Sequence, residues 1–91
     1  MQERSKKLKN FILKNSYLFW SIPEDSKINV SDELLLEYIL NYSEMPTIKE
    51  YLDIVGINQA KMIFNNLSDR RKKNIFPEIY NLFMEYFTKN A

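Results

Sequence analysis

Apolar residues recur at intervals of three and four along almost the whole of this 91-residue chain, and no alternation of period two runs longer than four or five residues. That spacing places apolar side chains along one face of a helix rather than one face of a strand. The pattern predicts an all-α fold, a compact single-domain bundle of about five short helices. The first is expected over Ser5–Asn15, with Leu8, Phe11 and Ile12 on one side and Lys6, Lys7, Lys9 and Lys14 largely elsewhere. A dense apolar patch follows, Tyr17-Leu18-Phe19-Trp20, and Pro23 with Glu24, Asp25 and Ser26 then predicts a loop.

Ser31 has the side chain of a helix N-cap, and Asp32 and Glu33 put negative charge in the first turn, where the helix dipole favours it. The helix that starts there should reach about Tyr42. Its face Leu35, Tyr38, Ile39, Tyr42 is widened by Leu34, Leu36 and Leu40, so it should be packed on more than one side and serve as the central helix. Pro46 stops its continuation, and Thr47 with Glu50 three residues on has the form of a capping box. Ile48, Tyr51, Leu52 and Val55 supply the next stripe. Gly56 stands where a helix C-terminus needs a left-handed residue, and Asn58 is placed to cap the following helix. That helix should bury Ala60, Ile63, Phe64 and Leu67 and leave Gln59, Lys61, Asn65 and Asn66 toward solvent. Ser68 and Asp69 mark a new start before the basic run Arg70-Arg71-Lys72-Lys73. Pro77 opens a last helix that should bury Ile79, Leu82, Phe83 and Tyr86, with Phe87 beside them. The chain thus reads as a basic N-terminal helix, residues 1–16, and a helical body, residues 17–91, of one domain.

Composition narrows the functions such a bundle can have. There is no histidine, no cysteine and a single glycine. The common acid/base near neutral pH, the thiolate nucleophile and most transition-metal ligand sets are therefore missing, and one glycine cannot build a phosphate-cradling loop. Glu33 with Glu37, and Glu50 with Asp53, could each share a helix face, but neither pair is repeated as a bridged dimetal site requires. We expect no enzyme activity, no metal and no cofactor. Without cysteine the fold suits a reducing compartment, and the longest apolar run near the N-terminus, Phe11–Leu13, is far below the roughly 20 residues of a spanning helix. A cytoplasmic protein with no membrane contact is the expectation.

Net charge is +1, but it is unevenly spread. Residues 1–20 carry five Lys/Arg against one Glu, residues 21–60 two against eight acids, and residues 61–91 six against three. Two kinds of surface come forward. Thr47–Leu67 has the outline of a helix-turn-helix, whose second helix could offer Asn58, Gln59, Lys61, Asn65 and Asn66 to nucleic acid while Arg70–Lys73 anchor phosphates. Leu52, four before the turn glycine, and Asn65 depart from that pattern, and an ordinary helical hairpin accounts for the same residues. The other surface is aromatic. Tyr17, Phe19 and Trp20, together with Tyr80, Met84 and Phe87 of the tail, could anchor a protein partner or a second copy of the chain, with Arg70, Arg71, Lys72 and Lys73 steering an acidic partner. Alternatively, Phe19 and Trp20 fill the core beneath the second and last helices.

The order Leu18-Phe19-Trp20, a short acidic loop, a helix ending Glu37-Tyr38-Ile39-Leu40-Asn41-Tyr42, a helical pair and the closing Phe83-Met84-Glu85-Tyr86-Phe87 resembles a small uncharacterised prokaryotic helical domain family with an N-terminal Leu-Phe-Trp box. The resemblance covers roughly residues 17–88. Members are often encoded beside nucleotidyltransferase toxins of abortive-infection systems. The resemblance therefore implies a toxin-antitoxin or phage-defence accessory role and carries over no catalytic residue. The expected function is a non-enzymatic protein-interaction domain, antitoxin-like toward such a toxin. The alternatives are a helix-turn-helix DNA-binding regulator and a phage-encoded inhibitor of a host enzyme.

Overall fold

Ser5 caps the first helix with its hydroxyl, which accepts from the Leu8 amide at 3.1 Å, and α1 then runs Lys6–Lys14 with Leu8, Phe11 and Ile12 buried. The computed structural model describes residues 5–90 of the chain. Of the basic segment expected over 1–16, residues 1–4 therefore lie outside the described residues, as does Ala91 at the end of the expected helical body. Asn15 ends α1, donating its side-chain amide to the Phe11 carbonyl. The chain then tightens into two 3-10 segments, Ser16–Phe19 and Glu24–Asn29.

The second 3-10 segment replaces the loop expected around Pro23. Pro23 supplies an extended residue ahead of it, and the segment is fastened by Lys27, whose buried ammonium donates to the Ser16 carbonyl at 3.1 Å and pairs with Glu24 at 2.9 Å. A local basic side chain meeting both a carbonyl and a carboxylate gives a short polar stretch regular structure that its composition does not announce.

The remaining helices are α2, Asp32–Tyr42; α3, Met45–Val55; α4, Ile57–Asn65; α5, Asp69–Asn74; and α6, Pro77–Asn90. No strand occurs among the described residues, and the fold is all-α, a single domain with one more α-helix than the five expected. Its radius of gyration is 12.5 Å, against about 12 Å for a compact chain of this length. Ser31 caps α2 as its sequence predicts, accepting from the Leu34 amide at 3.1 Å. As expected, α2 is central: it packs on α3, α4, α5 and the first 3-10 segment. Its most buried residues, however, are Leu35, Leu36, Ile39 and Leu40, with Tyr42 left exposed at the C-terminal end.

Three local expectations are corrected. The Thr47–Glu50 capping box does not form, because α3 begins three residues earlier. Glu44 is its N-cap without a side-chain bond, and Pro46 lies in the first turn, where the missing amide costs nothing. Glu50 instead pairs with Lys14 of α1 at 2.7 Å. Gly56 has the expected positive φ, 87°, but with ψ 142° it is extended rather than left-handed helical, and it serves both as C-cap of α3 and N-cap of α4. Asn58 is consequently inside the first turn of α4 and caps nothing.

The core joins α1 to the body. Phe11 meets Tyr51 of α3 with ring centroids 6.1 Å apart, so the N-terminal helix is part of the same packed unit. At the other end Phe64 of α4 stacks on Tyr80 at 5.1 Å and meets Phe87 at 5.1 Å, which docks α6. Burying large rings at these crossings supplies apolar area that a chain of this size otherwise lacks.

Candidate functional site

The Tyr17–Trp20 patch is divided by its own geometry. In the 3-10 segment Ser16–Phe19, Leu18 and Phe19 turn inward and are buried, and Phe19 stacks on Tyr38 of α2 at 5.8 Å. Tyr17 and Trp20 turn outward, with exposures of 66% and 75%. They are three residues apart, which a 3-10 turn of three residues brings to the same side. Neither side chain has a hydrogen bond or ring contact within the described residues. Leu13, four residues before Tyr17 on the outer side of α1, is also exposed. Tyr17 and Trp20 thus stand on a backbone held by Leu18 and Phe19, which belong to the core.

Phe19 was expected among the partner anchors and is instead a core residue at 0% exposure. Trp20 could have filled the core and instead stands in solvent. Leu18 and Phe19 take the inward side of the turn, Phe19 against Tyr38, and Trp20, one residue on, comes round to the outward side that Tyr17 occupies. In the tail the same division applies. Phe87, expected as an anchor, is buried against Phe64 and Phe83, and Tyr80 is half-buried on Phe64. Met84 remains exposed, as do Leu82 and Tyr86, which the spacing had assigned to the core.

The basic run does not act as one patch. Arg71 reaches back from α5 to Glu37 of α2, its Nη1 donating to Oε1 at 3.0 Å. Glu37 is buried and Arg71 is half-covered, so this arginine is spent on holding α5 in place. Arg70 and Lys73 are exposed and Lys72 is half-buried. A small cavity of about 230 Å³ beside them is lined by Ser68, Arg70, Arg71 and Asn74.

The helical pair α3–α4 turns on a single residue, Gly56, where the DNA-binding motif uses a turn of three to four. Asn58, Gln59, Asn65 and Asn66 are exposed, and Lys61 is half-buried. Asn66 uses its side-chain amide on the Met62 carbonyl at 2.9 Å, and exposed Met62 lies at helical spacing from Asn58, Asn65 and Asn66. A thioether at that position offers bases no hydrogen bond.

One member of each carboxylate pair is likewise engaged: Glu37 with Arg71 and Glu50 with Lys14. The structural roles of two polar residues escaped the sequence reading. Glu37 is the one charge in the run Leu34–Tyr42, a signal that a buried partner is needed. Asn41, one turn on, donates to the Asn74 carbonyl at 2.7 Å and accepts from the Phe76 amide at 3.1 Å. Nothing in its local sequence distinguishes it from a solvent-facing asparagine.

No helix among the described residues is long and apolar enough to cross a membrane. No protein-family model matches the chain, and neither a curated protein nor a solved structure matches it.

Proposed function

We propose that this chain is a non-enzymatic protein-interaction domain that grips its partner with Tyr17 and Trp20. The observation that carries the reading is that a tryptophan 75% exposed and a tyrosine 66% exposed stand side by side on a turn whose other two apolar residues are buried. Large aromatic side chains on a fixed backbone bury much area for few lost rotamers, which is why they dominate interface energetics. Exposed Lys6 and Lys7 on α1, which has no acidic residue, favour a partner with acidic groups around an apolar pocket. Exposed Arg70 and Lys73 add to that preference, and Arg71 is withdrawn from it. The similarity to domains encoded beside nucleotidyltransferase toxins makes such a toxin the partner to try first, with the chain acting as its antitoxin-like or phage-defence accessory subunit.

The test is a tagged pull-down from the native host, with and without nuclease, run in parallel for the wild type and Trp20→Ala. One stoichiometric protein that survives nuclease and is lost with Trp20→Ala is the expected result. Recovery of nucleic acid that disappears with nuclease and moderate salt, unaffected by Trp20→Ala, would replace this reading with binding through the α4 face.

A further inference from the structure

α6 is 14 residues long and packs chiefly on one helix, α4. The contact uses Tyr80 and Phe87 on Phe64, with Phe83 buried beside them, and these three occupy only the middle of its apolar sector. On one flank of that sector Ile79, Leu82 and Tyr86 recur at intervals of three and four, so they lie along one line of the helix. Ile79 is half-buried, while Leu82 is 48% and Tyr86 37% exposed. Just beyond Leu82 around the helix, at about 100° per residue, lie Glu78 near the start and Lys89 near the end. Both are exposed, and a rise of about 1.5 Å per residue puts them roughly 16 Å apart.

We propose that this flank of α6 is a self-association face, on which the α6 helices of two copies of the chain pack antiparallel about a two-fold axis that crosses the seam at the height of residue 84. In that register Leu82 of each copy faces Tyr86 of the other, closing an apolar seam. A two-fold axis perpendicular to the helices keeps like edges together and reverses their direction. Glu78 of one copy therefore comes within one residue of Lys89 of the other, at both ends of the seam. A parallel pairing, whose axis runs along the helices, would put the Glu78 and Lys89 edges of the two copies on opposite sides of the seam, where they form no pair. The charges thus select both the occupant, a second copy, and its direction. Lys89 already holds Glu85 of its own helix at 2.8 Å, an exposed pair, and in the dimer it lies between two carboxylates, one from each copy. Antiparallel helix dipoles add in the same sense.

One helix of this length gives an interface at the small end, below about 1,200 Å², so the dimer is weak, with dissociation in the micromolar range or above. The face does not include Tyr17 or Trp20, and the inference stands apart from the function proposed above.

Sedimentation velocity of the full chain over a wide concentration series tests it. The expected result is a monomer–dimer equilibrium for the wild type and a monomer throughout for Leu82→Glu, with unchanged helical circular dichroism because Leu82 is exposed. Lys89→Glu should weaken the dimer several-fold, and Glu78→Lys combined with Lys89→Glu should recover part of the loss, the remainder being the repulsion of the new carboxylate by Glu85 of its own helix. A wild type that stays monomeric at every concentration overturns the proposal. So does a dimer indifferent to Leu82→Glu, and a double charge reversal no better than Lys89→Glu alone overturns the antiparallel register.

Discussion

Arg71 and Glu37 are joined across the α5–α2 contact by a 3.0 Å hydrogen-bonded ion pair whose carboxylate side chain is only 7% exposed. A carboxylate that deep needs its cation, since losing one partner leaves an uncompensated buried charge. Arg71→Ala is therefore expected to destabilise the fold by about 2 kcal/mol, below the 3–5 kcal/mol of a fully buried pair because Arg71 is about a third exposed. Replacing both residues with apolar ones, Glu37→Met with Arg71→Leu, should recover most of that loss. Urea unfolding of the two variants measures it, and a double variant no more stable than Arg71→Ala would show that the pair is not what matters.

Asn41 is expected to control how firmly α5 hands over to α6. Its amide and carbonyl both face the α5–α6 junction, on the Asn74 carbonyl and the Phe76 amide. Asn41→Ala removes both bonds and should cost about 1–2 kcal/mol. Asn41→Asp keeps the acceptor but sets a carboxylate against the Asn74 carbonyl, and should be no better. Hydrogen exchange of the Phe76 amide is the direct readout, and it should accelerate more than exchange in α1.

Gly56→Ala is expected to destabilise although a Cβ there would meet nothing within 4 Å. The cost comes from the backbone: φ of 87° with ψ of 142° is a region that L side chains rarely adopt. A loss of about 1–2 kcal/mol is expected, read as a lower thermal midpoint. An unchanged midpoint would mean that the α3–α4 joint relaxes to another conformation.

Neighbouring Phe19 and Trp20 should behave oppositely. Phe19→Ala empties a site at 0% exposure and should cost about 3–4 kcal/mol. Trp20→Ala removes an exposed ring and should change stability by less than about 0.5 kcal/mol. Because Trp20 is the chain's one tryptophan, the same exposure predicts ready quenching of its fluorescence by acrylamide in the folded protein. Its emission should change little on unfolding, and a strongly protected tryptophan would contradict this placement.

The sequence by itself determined the helices and most of their limits. Ser5 and Ser31 cap as their chemistry requires, and Leu8, Phe11, Ile12, Ala60 and Phe64 are buried as their spacing requires, because capping and amphipathic periodicity are local properties. Gly56 likewise announced a joint with positive φ. Only the tertiary structure decided which apolar residues are core and which are surface. Phe19 and Trp20 are adjacent in an unbroken aromatic run, and their fates diverge because a 3-10 turn sends one toward Tyr38 and the other into solvent. Leu82 and Tyr86 fit the stripe of α6, but α4 is one helix wide and covers only its middle. The basic run looked like one patch until Glu37, 34 residues away, claimed Arg71. Periodicity states that a face is apolar or charged, and only the position of the neighbouring elements states what lies against it.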